Sequence, residues 1–131
     1  MELKIVIPGN PRTKKNSQQI LTNKKTGRSF IAPSTAFKKY EKEAGKAIPQ
    51  DVRRAIDDRV TVKCIYYMHT LRAVDLTNLL EATDDILVRC GVLKDDNCRV
   101  IASHDGSRVK YDKINPRVEV FITPFTEQDT L

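Results

Sequence analysis

Between residues 75 and 96 the chain reads DLTNLLEATDDILVRCGVLKDD, with acids at spacings that can converge. Asp75 stands where a helix would begin. Asn78, Glu81 and Asp85 follow at i, i+3 and i+7, on the polar side of a helix whose other side is leucine-rich. Asp95 and Asp96 come in a turn after Gly91-Val92-Leu93, just ahead of the next strand. A helix start and a downstream strand start meet in space when the strand packs beside the helix. Carboxylates that meet repel one another, so a cluster implies a cation. Mg²⁺ prefers oxygen ligands and is held by one or two carboxylates plus waters and substrate phosphates. That is the arrangement of metal-assisted phosphodiester hydrolysis. The plainer reading takes each acid alone: Asp75 caps the helix, Glu81 and Asp85 are solvated, and Asp95-Asp96 is an ordinary turn. Residue by residue this is the commoner outcome, since an Asp near a helix start is favoured electrostatically.

The other half of the chain carries the opposite charge. Residues 1–72 hold 16 Lys and Arg against 6 Asp and Glu, whereas residues 73–131 hold 7 against 11. The excesses of +10 and −4 make up the net charge of +6. A basic half suggests a polyanionic partner, although an accidental asymmetry would look the same. Arg12, Lys14, Lys15 and Asn16 lie in a polar basic loop, and Lys24 and Lys25 at a hairpin tip. Lys38, Lys42 and Lys46 form an i, i+4, i+8 row that reads more readily as a solvated helix face than as a phosphate track, with Glu41 and Glu43 diluting it. His69 and His104, each at a strand end, read as structural rather than as bases or ligands.

These residues need elements to position them. Leu3 to Pro8 alternates as a strand and stops at the turn signal Pro8-Gly9-Asn10-Pro11. Ile20 to Ala32 reads as a hairpin with Gly27 taking a positive φ at its tip. Pro33-Ser34 opens a helix, with Ser34 as cap and Phe37, Tyr40, Ala44 and Ile48 at helical spacing. Arg59 to His69 is a strand whose last residues are large and apolar, as where both faces are covered. Thr70 to Val74 is a connection. Leu76 to Cys90 is the clearest helix, its apolar residues within an arc of about 120°, ended by Gly91. Arg99 to Ser103 and Arg117 to Thr123 are two further strands. Pro124 and the polar tail to Leu131 are expected to fray.

Composition narrows the classes. A chain of 131 residues, 40% hydrophobic and 31% charged, suits one globular domain. We place that domain at 1–124 and a C-terminal tail at 125–131. No apolar run approaches the roughly 20 residues of a membrane span, and the N-terminus lacks the apolar region of a signal peptide, which makes the cytoplasm the default location. Cys64, Cys90 and Cys98 make an odd count without metal-finger spacing, against both a disulfide framework and a zinc site.

The acidic segment resembles the RusA-type Holliday junction resolvases, a family common in phages and prophages. That family carries D-x-D-N-L, a Lys on a helix, then an Asp, a Gly and D-D before a strand. This chain has Asp75-Leu76-Thr77-Asn78-Leu79, then Asp85, Gly91 and Asp95-Asp96 at matching spacing. The opening strand and Pro8-Gly9-Asn10-Pro11 also look like the family's start. The resemblance implies an α/β chain of the α+β type, with a small mixed sheet and two main helices packed on it. It implies a homodimer and an Mg²⁺-dependent (or Mn²⁺-dependent) endonuclease that cuts four-way DNA junctions, leaving a 5′-phosphate and a 3′-hydroxyl.

Two positions depart from the pattern. Thr77 stands where the family has its second catalytic Asp, and Glu81 where it has the helix Lys. Positions i and i+4 face the same way on a helix, so the carboxylate has moved one turn along. On this reading Asp75, Glu81 and Asp96 are catalytic and hold the metal, with Asp95 and Asp85 close by. Arg12, Lys14, Lys15, Asn16, Lys24, Lys25, Arg72 and Asn78 contact DNA, and Lys14 or Lys15 is the candidate for the missing lysine. The rival from another class is a DNA- or junction-binding protein on the same fold that no longer cuts. A small RNA-binding module is weaker, because 4 Tyr, 4 Phe and no Trp offer little for base stacking.

Overall fold

Strand β1 (Leu3–Pro8) buries Leu3, Ile5 and Ile7 and exposes the residues between them. The computed structural model describes residues 2–14, 18–33 and 35–127. The chain continues through a hairpin of β2 (Gln18–Thr22) and β3 (Ser29–Pro33), helix α1 (Thr35–Ala47) and a single 3₁₀ turn (Gln50–Val52). It then forms β4 (Val60–Met68), α2 (Leu76–Arg89), β5 (Ile101–Ser103), β6 (Arg108–Tyr111) and β7 (Arg117–Pro124). The expected cap Ser34 lies outside the described residues, as do Lys15 and Asn16.

Five strands make one mixed sheet. β7 lies between β1 and β4, antiparallel to both, and the far edge of β4 is shared by β5 and β6, each parallel to it. The segment from β4 through α2 to β5 is therefore a crossover, the connection that parallel strands require. The inner face of the sheet carries Ile5, Ile7, Val60, Val62, Cys64, Tyr66, Val118, Val120 and Ile122. Helix α1 covers it with Phe37, Tyr40 and Ala44, and α2 with Leu79, Ala82, Ile86 and Leu87. Each such aliphatic side chain contributes about 1.5–3 kcal/mol on leaving water. The α+β class with two helices on a small mixed sheet is what the chain adopts. The described residues include no helix long and apolar enough to cross a membrane.

Three differences from the sequence expectations have local causes. Near the end of β4 the outer face is covered at Ile65, which is buried, and only partly at Tyr67. On the outer face the Lys63 ammonium lies 4.7 Å from the Phe121 ring centre, and the Arg117 guanidinium 3.8 Å from that of Tyr67. Long cationic stems thus shield the aromatic rings. Strand β5 starts at Ile101 rather than Arg99, because Asn97 draws residues 99–101 into a turn. Its Oδ1 accepts from Arg99 N–H, and its carbonyl from the N–H groups of Val100 and Ile101. Pro124 belongs to β7, paired with Val60, and Phe125 N–H bonds to the Arg59 carbonyl, so pairing outlasts the expected fraying point. Residues 128–131 lie outside the described residues.

Candidate active site

Helix α2 sets the site. Asp75 is its N-cap, and its Oδ1 accepts from Thr77 N–H at 2.9 Å and Asn78 N–H at 3.4 Å. Those are two of the donors a helix start leaves unmet. The helix ends at Cys90, and Gly91 turns the chain with φ of 76°, which glycine takes at little cost. Asp75 is exposed, so the capping role and an accessible Oδ2 coexist.

The basic loop reaches the polar side of α2. Lys14 Nζ pairs with the Asp85 carboxylate and sits 5.9 Å from the Phe37 ring centre. Lys14, Asn78, Glu81 and Ala82 line one small indentation. A loop ammonium therefore lies against the helix face that carries Glu81 and Asp85. Asp85 is engaged by that ammonium, while Glu81 stays exposed.

Arg12 and Arg72 line a polar cavity of about 480 Å³, together with Pro11, Thr13, Met68, Thr70, Ala73 and Val74. Val74 is the residue before Asp75, so the cavity opens beside the start of α2. Two guanidiniums in one cavity suit a phosphate. Lys24 and Lys25 are placed differently, exposed at the hairpin tip where Lys25 N–H bonds to Asn23 Oδ1. No described contact links them to α2.

Asp95 and Asp96 differ from each other. Asp95 accepts from Asp96 N–H at 2.7 Å and from Asn97 Nδ2 at 3.0 Å, so it builds the turn. Asp96 is exposed, and among the described residues its carboxylate takes no hydrogen bond. Its charge acts on Asp84, as does that of Asp85.

Asp84 is the residue sequence reasoning missed. Its Oδ2 lies 2.9 Å from His104 Nε2, and His104 Nδ1 lies 2.8 Å from the Val62 carbonyl oxygen. A carbonyl only accepts, so Nδ1 carries hydrogen, and the bond between Nε2 and Oδ2 then needs a second proton. Burial first, then the charges of Asp96 and Asp85, push the Asp84 carboxyl above its ordinary value, although the His104 contact opposes this. The Asp84 hydrogen bond raises His104 as well, against its burial. Asp84 Oδ1 is buried without a partner among the described residues. The available signal was position: Asp84 is i+4 from Leu80 and i−4 from Val88, on the margin of the apolar arc. His104 is held between Asp84 and the Val62 carbonyl, whereas His69 Nδ1 lies 3.1 Å from the Lys113 carbonyl oxygen and its backbone N–H bonds to Asn10 Oδ1.

Residues 4–123 match the family model of endodeoxyribonuclease RusA. The chain belongs to that family. No match was found among curated proteins. RusA proteins are DNA-cleaving enzymes, and the match reaches every element from β1 to β7.

The metal that this family resemblance implies can be tested against the donors. Among the described residues, no group of three or more His, Cys, Asp or Glu side chains is placed to hold a metal ion. The accessible candidates, Asp75, Glu81 and Asp96, are carboxylates, the donors a hard cation takes. Their oxygen donors suit a hard cation, and one or two of them would hold it only together with waters and DNA phosphates.

Proposed function

We propose that this chain is a divalent-metal-dependent, structure-selective endonuclease that resolves four-way DNA junctions by phosphodiester hydrolysis, in recombination or repair. The observation that carries the reading is the family match over residues 4–123. The Arg12/Arg72 cavity opening beside Asp75 supports it. In this mechanism Arg12 and Arg72 hold the phosphodiester through charge-assisted bonds, which are insensitive to sequence and weakened by salt. Asp75 and Asp96, with Glu81, are the residues that would hold Mg²⁺ or Mn²⁺. Such an ion, when bound, neutralises phosphate charge and activates water. Lys14 sets a positive charge against the acidic face of α2, where it offsets repulsion between DNA and carboxylates. Asp85 takes part through Lys14, and Asp95 by shaping the turn that presents Asp96. Lys15, Asn16, Lys24, Lys25 and Asn78 contribute further backbone contacts. A symmetric junction needs paired cuts, which a homodimer with two-fold symmetry supplies. The setting is the cytoplasm of a bacterial or phage-infected cell.

Cutting of a labelled four-way junction in Mg²⁺, in Mn²⁺ and in EDTA tests the proposal. Cleavage near the exchange point with either ion and none in EDTA is the expected result. Tight junction binding without cutting under any condition would overturn it in favour of the binding-only reading. That second reading draws its support from Thr77 and from the absence of a three-donor group among the described residues.

A further inference from the structure

A second cavity adjoins the first and shares Arg12 with it. It measures about 400 Å³ and lies between the turn after β1 and helix α1. Pro8, Ala36 and Tyr40 give it a mainly apolar lining, with Arg12 and Lys39 as cations and Asn10 and Glu43 as hydrogen-bonding groups. Asn10 Oδ1 accepts from the His69 N–H, and its NH₂ group adds a donor. Glu43 supplies an acceptor. Gly9 forms the bend with φ of 96°, a conformation other residues take only with strain.

We propose that this cavity receives an unstacked nucleobase of the DNA strand whose phosphate lies in the Arg12/Arg72 cavity. The inference rests on the DNA-cleaving reading above and adds a subsite to it. The argument is complementarity in two parts. A nucleotide is a flat, largely apolar ring with donors and acceptors at its edge, joined to phosphates. The cavity pairs an apolar lining and one donor and one acceptor group with two cations able to hold flanking phosphates. Its volume falls within the range of about 300–1,000 Å³ common for ligand sites. Continuity supplies the second part. Arg12 lines both cavities, and the first ends on Val74, next to Asp75. A strand held by Arg12 therefore has a phosphate site on one side and a base-sized recess on the other. Bases that are already unpaired cost least to unstack, so this recess would favour junctions whose pairs open at the exchange point over linear duplex.

The test uses four-way junctions carrying 2-aminopurine at single positions around the exchange point, bound in EDTA at saturating protein. The base fluoresces weakly when stacked and strongly when unstacked. The expected result is a several-fold rise at one or two positions with the wild-type chain. The rise should be lost in saturated complexes of Ala36→Phe and Glu43→Trp, which fill the recess from exposed positions on α1. Two variants guard against misfolding of one. No rise at any position, or an equal rise with both filled variants, would overturn the subsite. Cutting of the same junctions in Mg²⁺ separates the two claims: a wild-type chain that binds and cuts but gives no rise refutes the recess alone. One that neither binds nor cuts refutes both.

Discussion

The two halves of helix α2 put the same side chain to opposite uses. At its start, Asp75 is exposed, spends one oxygen on the backbone and leaves the other facing water. Two and a half turns later, Asp84 is 13% exposed, locked to His104, with its remaining oxygen buried and unpaired. The first arrangement suits chemistry on a bulky substrate, because DNA can reach the oxygen. The second suits fastening, since it joins α2 to the strand end at His104 and, through Nδ1, to the Val62 carbonyl on β4. Acids in one helix are thus divided by their place on the apolar arc, and substitutions can expose the division.

The largest effect should come at the exposed end. Asp75→Asn keeps a capping oxygen, and Asn caps as well as Asp, so the melting temperature should hardly change. Cleavage should nevertheless fall by about 100-fold or more, the scale of losing one group that stabilises transition-state charge. Asp96→Asn should behave alike. Junction affinity should hold or rise in both, because a negative charge near the phosphates is gone. Wild-type cutting by either variant would remove that residue from the site. Glu81→Gln should match them if Glu81 compensates for Thr77. Thr77→Asp with Glu81→Lys should retain activity, and Glu81→Lys alone should not. Kinetics of junction cutting with the three Glu81 variants decides between a catalytic and a solvated Glu81.

Next in size is the buried end, where the readout is stability. Asp84→Ala strips His104 Nε2 of its partner, and such losses cost about 1–3 kcal/mol. A thermal melt should show a drop of several degrees. Equal melting of variant and wild type would demote the pair to a coincidence of packing.

The same pair gives a pH dependence with a definite sign. His104 is raised above its ordinary value of about 6.5, so the folded chain holds its proton more tightly than the unfolded chain. That stabilisation is complete below about pH 6.5 and is lost as pH rises through the raised folded value. Asp84 is also raised, mainly by burial, and it works in the same direction. The melting temperature should decline from mildly acidic to alkaline pH, and His104→Gln should flatten the decline. A wild-type melting temperature that climbs over that range would contradict the shared proton.

How far the sequence reaches follows the same boundary. Periodic burial was legible: β1 buries Leu3, Ile5 and Ile7, and α1 buries Phe37, Tyr40 and Ala44 with Ile48 just beyond it, as their spacing predicts, and α2 buries most of its apolar arc, because one apolar face must meet one core. β6 was not legible, since Arg108–Tyr111 is exposed along its length. It is a strand only because β4 offers an open edge, which Ile65 to Met68 fill by pairing. Asp75 as a helix start, and Asp95 as a turn-former, were readable from local chemistry. The Asp84–His104 contact was not, as it joins residues 20 apart whose meeting depends on the crossover. The approach of Lys14 to Asp85, 71 residues away, was legible only as a missing cation in search of a donor.

The smallest effect belongs to that pair. Lys14 and Asp85 are both 28% exposed in their side chains, and partly solvated ion pairs contribute only up to about 1 kcal/mol. Lys14→Gln should therefore lower the melting temperature by no more than a few degrees, less than Asp84→Ala. Its consequence for DNA should be larger than its consequence for the fold. With the ammonium gone, Asp85 becomes an uncompensated charge beside Glu81, and phosphates approaching α2 meet stronger repulsion. Junction affinity should weaken, and its salt dependence should flatten by about one phosphate contact. Lys14→Gln with Asp85→Asn removes both charges and should recover part of the affinity while leaving the salt slope flattened. If affinity and salt slope stay at wild-type values while stability drops as far as in Asp84→Ala, Lys14 is a strut. The division of α2 would then lie one turn nearer its start, between Glu81 and Asp84.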